Sequence, residues 1–77
     1  MSRLKLIDFK TMDRLLRKLG FVVTRQRGSH VFYRHPDGRT TVVPNHGSKD
    51  LARPLTADIL KDIRISADQY QEELDNL

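Results

Sequence analysis

The apolar periodicity of this 77-residue chain predicts a small two-layer α+β fold, α-β-β-β-α with a short C-terminal helical extension. Three observations carry that expectation. Apolar residues recur at helical spacing up to Gly20, three β-branched and aromatic runs then follow with turn residues between them, and a second helical repeat starts at Pro54. Two helices on one face of a three-stranded sheet is about as small as such a layered core can be. The length makes residues 1–77 a single domain of modest stability.

The first helix is expected from Asp8 to Leu19. Met12, Leu15, Leu16 and Leu19 form its apolar stripe, with Phe9 one turn earlier. Asp8 suits the N-cap, Gly20 suits a left-handed stop, and Arg14, Arg17 and Lys18 fall on the outer surface. The runs 21–26, 30–35 and 40–44 read as strands of an antiparallel meander. A turn or bulge at "RGS" and a tight turn at "PDGR" join them, and Pro44 removes a ladder donor at the end. Residues 45–50, "NHGSKD", form a polar loop. The second helix begins with Pro54 at its first position and carries Leu55, Ile59 and Ile63 as a stripe, with Leu60 beside them. Ser66 and Gln69 have capping-box spacing and open a third helix that presents Tyr70, Leu74 and Leu77.

Charge is unevenly placed. Residues 1–50 hold four Lys and seven Arg against four Asp, a net +7, whereas residues 51–77 are at −3. A basic first part with interleaved aromatics fits a phosphate backbone as partner, although solubility alone also favours excess charge. With no cysteine and only three scattered histidines, neither disulfides nor a metal site is expected, and no cofactor is implied. The apolar runs are too short to span a membrane and no secretory h-region is present, which makes a cytoplasmic protein the expectation.

His30 is the main candidate for chemistry. Imidazole moves protons near neutrality, and RNA cleavage needs a base to take the ribose 2′-hydroxyl proton before that oxygen attacks the adjacent phosphorus. Arg25, Arg27 and Arg34 flank His30, and Arg39 and Lys49 are further candidates for phosphate contact. Gly28 and Ser29 would allow the backbone to approach a phosphate, or simply make the turn. Ser29 has no orienting triad that would make it a nucleophile. Strand alternation puts His30, Phe32 and Arg34 on one face and Val31, Tyr33 and His35 on the other. Each set mixes apolar and polar members, so alternation leaves the buried face open. His30 can equally be a strand-edge residue bonded to a backbone carbonyl. Phe32 and Tyr33 are both able to stack on bases, with one of them expected in the core. His35 reads as a flank of the turn, and His46 as part of a solvated loop.

The stretch "GFVVTRQRGSHVFYRHPDG", followed by "TVVPNHGSKDL" and "LTADILKDIRIS", resembles the HicA family of small toxins, also called YcfA-like. The resemblance covers about Thr11 to Tyr70 and rests on Gly20-Phe21, Gly28-Ser29-His30, Arg34 to Gly38, and Pro44-x-His46-Gly47 in that order. It implies a double-stranded-RNA-binding-like fold and an mRNA interferase, an endoribonuclease with the Gly-Ser-His histidine, here His30, as catalytic residue. The implied partners are an mRNA substrate and a HicB-like antitoxin that covers the active surface, with DNA contacted only through the antitoxin. Pro54 departs from the glycine common before the second helix, and the N-terminal segment "MSRLKLIDFK" is slightly longer than in the shortest relatives. Two other functions compete with cleavage. A non-catalytic RNA-binding module would bind in a salt-dependent way without cutting, and a protein-interaction module would expose an apolar face and ignore RNA.

Overall fold

The helical repeat before Gly20 forms α1 (Phe9–Lys18), and the three β-rich runs form β1 (Val22–Arg27), β2 (His30–Arg34) and β3 (Thr40–Pro44). The second repeat forms α2 (Arg53–Ile63), and α3 (Ala67–Asp75) is the C-terminal extension. The structure is a computed structural model that describes residues 4–77; the first three residues of the N-terminal segment lie outside the described residues. The expected α-β-β-β-α order with an added helix is what the chain adopts.

α1 starts where the Asp8 carboxylate accepts a hydrogen bond from the Thr11 N–H at 3.0 Å. The bonds from Thr11 hold the Asp8 carboxyl below its ordinary pKa. Met12, Leu15 and Leu16 are fully buried, with Phe9 and Leu19 packed at the margin. α2 begins one residue earlier than Pro54, with Ala52 at the N-cap and no side-chain cap. Its buried face is Thr56, Ile59, Leu60 and Ile63, while Leu55 is only partly covered. Thr56 fits there because its hydroxyl donates back to the Ala52 carbonyl at 3.0 Å. The helix ends with Arg64 in the left-handed region (φ 59°), and Ile65 N–H closes onto Leu60 O at 3.2 Å. Ser66 caps α3 as expected, accepting from the Gln69 N–H at 3.1 Å. Tyr70 is buried and Leu74 packs at the edge of the core, but Leu77 is exposed because it lies past the last helical turn.

The sheet is a meander of order β1-β2-β3, antiparallel throughout. Strand limits shift from the expected ones for clear reasons. Phe21 is not the first strand residue, because its N–H bonds back to Leu16 O at 2.9 Å and its ring enters the core. His35 leaves β2 because its ring is bound elsewhere, as described below. Pro44 does not quite end the pairing, since Asn45 N–H still donates to Ser29 O at 2.6 Å.

The helices cover one sheet face, where Val31, Tyr33, Thr41 and Val43 are buried against α1 and α2. Buried polar groups there are paired. The Tyr33 hydroxyl donates to Asp13 Oδ1 at 2.6 Å and the Thr41 hydroxyl to Asp62 Oδ2 at 3.0 Å. The segment before α1 closes the layer from below. Leu51 N–H donates to Ile7 O at 2.8 Å, Arg53 Nη1 to Leu4 O at 2.8 Å and the Tyr70 hydroxyl to Lys5 O at 2.5 Å. α3 is tied to the end of α1 by the Lys18–Glu73 pair at 3.0 Å.

Two outcomes follow from this packing. Gly20 has φ +100°, and a Cβ there would lie 2.9 Å from His35 Nε2. Gly20→Ala is expected to cost about 1–3 kcal/mol, a Tm loss of at least roughly 4 °C for a chain this size; an unchanged calorimetric Tm would refute the strain. Burial raises the Tyr70 hydroxyl pKa to about 12, with the Asp50 charge adding to the effect. The folded state therefore keeps a proton that the unfolded chain releases near 10, so the stabilisation is present below pH 10 and fades as pH rises through about 12. Urea midpoints should fall more steeply between those values for the wild type than for Tyr70→Phe.

Candidate functional site

The face of the sheet turned away from the helices carries the residues that could act on a ligand. β2 decides the assignment. Val31 and Tyr33 are buried, so His30, Phe32 and Arg34 point outward, His30 and Arg34 being exposed and Phe32 partly so. Direct pairing places neighbours beside each in turn. Arg27, His30 and Pro44 form one row, Arg25, Phe32 and Val42 the next, and Val22, Arg34 and Thr40 the last.

A bulge puts both β1 arginines on this face. Val23 pairs with Tyr33 and Arg25 with Phe32, leaving Thr24 as the extra residue. Strict alternation would give Val23, Arg25 and Arg27 one common side. The bulge instead leaves Val23 opposite a core residue and Arg25 opposite an outward one. The Thr24 hydroxyl donates to Phe32 O at 3.4 Å, and the Arg25 guanidinium carbon sits 4.5 Å from the centre of the Phe32 ring.

Gly28 and Ser29 form a two-residue hairpin loop closed by the Arg27–His30 pair. Gly28 has φ +56° and Ser29 does not have positive φ, the pattern of a type II′ turn. A Cβ at Gly28 would meet nothing within 4 Å, so glycine is required there by backbone conformation rather than by space. The Ser29 carbonyl accepts from Asn45, fixing the hairpin tip against the end of β3, and Gln26 Nε2 donates to Gly28 O at 3.0 Å. These bonds hold the first residue of β2 in place. The His30 ring itself has no hydrogen bond or ion pair among the described residues, which removes the reading of a histidine bonded to a backbone carbonyl.

The other sequence candidates separate. Arg27 and Arg34 are exposed and make no side-chain hydrogen bond or ion pair among the described residues. None of the three strands contains a carboxylate, so this face is positive without internal compensation. Arg39 is not brought to His30. Its Nε donates to Asp37 Oδ2 at 2.8 Å and its Nη1 to Ile63 O at 2.5 Å, and its guanidinium lies 5.2 Å from the Phe21 ring centre. Lys49 is exposed in the loop after β3, where it lines a hollow with His46, Asp50, Leu51, Ala52 and Leu55 at the start of α2. It therefore stands beyond the strand rows rather than within them.

His35 is a structural residue. Its Nδ1 lies 3.1 Å from the Asp37 N–H and 3.0 Å from Asp37 Oδ1, its Nε2 is within hydrogen-bond distance of Leu19 O at 3.1 Å, and its ring meets Phe21 edge-on with centroids 5.1 Å apart. The Arg39 N–H and Nε bonds hold Asp37 below its ordinary pKa. Tyr33 is likewise no proton carrier for the site. Burial, reinforced by Asp13 as acceptor, drives its hydroxyl pKa far up, and it faces the helices. No group of three or more His, Asp or Glu able to hold a metal occurs among the described residues, and none of their helices is long and apolar enough to cross a membrane. Two features escaped sequence reasoning, the bulge at Thr24 and the use of Arg39 to close the C-terminus of α2. The Asp37-Gly38-Arg39 spacing signalled only the turn.

A family model described as the HicA toxin of bacterial toxin–antitoxin systems matches residues 9–65, from the start of α1 to the turn after α2. A search of curated proteins gave no match.

The arginines should separate experimentally. Arg39→Ala removes a charged hydrogen bond and a ring contact and is expected to cost about 1–3 kcal/mol. Arg27→Ala should change stability by no more than about 0.5 kcal/mol. Equal urea midpoints for the two variants would show that Arg39 does not close the fold.

Proposed function

This chain belongs to the HicA toxin family, and from that premise we propose that it is an mRNA interferase, an endoribonuclease toxin acting as one 77-residue domain and restrained by a HicB-like antitoxin. The observation that carries the reading is an unpartnered His30 on an exposed sheet face beside Arg25, Arg27 and Arg34, with no carboxylate on the three strands. A ring held by its backbone but free of hydrogen bonds can meet a ribose hydroxyl directly.

In the proposed reaction His30 takes the proton of a ribose 2′-hydroxyl. The 2′-oxygen bonds to the adjacent phosphorus, the bond from phosphorus to the 5′-oxygen breaks, and that oxygen leaves with a proton from solvent. The imidazolium then returns its proton to water. The products are a 2′,3′-cyclic phosphate and a free 5′-hydroxyl. Arg27, directly across from His30, stabilises the charge gathering on the phosphoryl oxygens, while Arg25 and Arg34 hold the flanking backbone. Gly28 and Ser29 admit the phosphate at the hairpin tip, and Lys49 meets the strand farther along at the same end of the sheet. The nucleophile and its target are already joined in the substrate, so this route requires no metal. The antitoxin covers the same positive face and thereby withholds His30 from RNA, and any contact with DNA runs through the antitoxin. The compartment of action is the cytoplasm, where mRNA is translated.

Purified protein should cut end-labelled single-stranded RNA in the presence of a chelator, leaving cyclic-phosphate ends. His30→Ala should slow cutting by about 10²–10⁴-fold with an unchanged melting curve. Cleavage at a nucleotide carrying a 2′-deoxy sugar would overturn the mechanism. Salt-dependent RNA binding with no cut at any pH would make the protein a binding module instead.

A further inference from the structure

Among the described residues, Phe32 is the only Phe, Tyr or Trp on the strands' open face. It occupies the central strand, outward and partly exposed, although Val31 and Tyr33 on either side of it are buried. Its core-facing neighbours already supply the packing, so its ring is surplus to the core. We propose that Phe32 is a base-stacking platform that takes a nucleobase of single-stranded RNA beside His30. The proposal rests on the RNA-cleavage reading above and adds the part of the substrate that reading leaves unplaced.

Three features define the subsite. The floor is apolar, formed by the Phe32 ring with Val42 paired beside it. One flank is cationic and flat, because the Arg25 guanidinium lies 4.5 Å from the ring centre. A base can stack on that guanidinium or displace it from the ring, and either way meets a π-face and a delocalised cation. The third feature is spacing. Phe32 and His30 are two residues apart on one strand and so about 7 Å apart along it. One nucleotide step of an extended single strand covers a comparable length. A base seated on Phe32 thus places the sugar and phosphate of its own or the next nucleotide at His30 and Arg27.

The surrounding charge chooses the occupant. Arg27 and Arg34 bracket the ring along the sheet without an acidic partner among the described residues, which suits a repeating anionic backbone. A duplex is a poor fit, since its bases are stacked inside and offer edges rather than faces to a ring on a sheet. Stacking accepts every base, so Phe32 contributes position and affinity with little choice of sequence.

The chain contains no tryptophan, so Phe32→Trp creates a single fluorescent reporter at the subsite. Full-length His30→Ala protein, in which cutting is slow enough for binding to be read first, serves as the parent. Its binding to a short uridine oligonucleotide is compared with binding to the matching abasic ribose-phosphate chain. Adding Phe32→Leu should weaken uridine binding roughly 5- to 150-fold and leave abasic binding unchanged. In the Phe32→Trp protein, uridine should quench emission and the abasic chain should not. With His30 present, Phe32→Leu should raise KM more than it lowers kcat. If the parent binds RNA and the wild type cuts it, but Phe32→Leu binds uridine as the parent does and Trp emission stays constant, the stacking proposal is overturned while the nuclease reading stands. If the wild type neither binds nor cuts RNA, both fail. Loss of uridine and abasic binding alike in Phe32→Leu, with unquenched Trp emission, would assign Phe32 to holding the sheet surface and also overturn the proposal.

Discussion

A three-stranded sheet has two faces, and this chain has two amphipathic helices that pack on the same one. That one-sided cover governs the remaining structure. It draws Val31, Tyr33, Thr41 and Val43 inward and leaves His30, Phe32 and Arg34 outside, although every second residue of β2 is otherwise equally able to face either way. The Tyr33 hydroxyl makes the choice firm. Its hydrogen bond to Asp13 on α1 satisfies the polar tip of a ring that is 1% exposed, and Asp13 is held in turn by Arg17 at 3.0 Å. Reversing the sheet would bury the imidazole and an arginine and strip a tyrosine of its acceptor.

The same residue types serve opposite purposes at the two ends of the sheet. Near the β2–β3 turn, His35 and Arg39 spend their hydrogen bonds on Leu19, Asp37 and Ile63, joining the end of α1, the turn and the end of α2 around the Phe21 ring. At the β1–β2 turn, His30 and Arg27 make no such bonds among the described residues, because that hairpin is held by its backbone and the Gln26 side chain. A histidine and an arginine stay unbonded where other contacts already provide the rigidity. The bonded and the unbonded pair are thereby separated by roughly the length of a five-residue strand, about 17 Å.

Much of the fold was legible from periodicity. The stripe at Met12, Leu15 and Leu16, the caps at Asp8 and Ser66 and the three strands are local, and local spacing reports them. The buried face of β2 was not legible, since His30, Phe32 and Arg34 are no more polar as a set than a half-buried strand allows. Only the position of the helices resolves it. Leu77 keeps helical spacing in sequence after the helix itself has ended, so its exposure is not legible from periodicity. Of the candidate site, the Gly28-Ser29-His30 step was evident and the sorting of the arginines was not. Arg39 resembles Arg34 in sequence, and what distinguishes it is a carbonyl at Ile63, a partner 24 residues away.

The extra residue at Thr24 has a bearing on how such a chain can change over time. Because the side of the sheet reached by Arg25 depends on a count of residues, loss of Gln26 would pair Arg25 with Val31 and turn its guanidinium toward the core, whereas loss of Thr24 would close the bulge and leave both guanidiniums on the open face. Exchange of one amino acid for another is comparatively gentle here, whereas a change of length is severe on the hairpin side of Arg25 and mild on the other. In this short edge strand, heredity must preserve the spacing from Arg25 to the hairpin as strictly as it preserves any side chain.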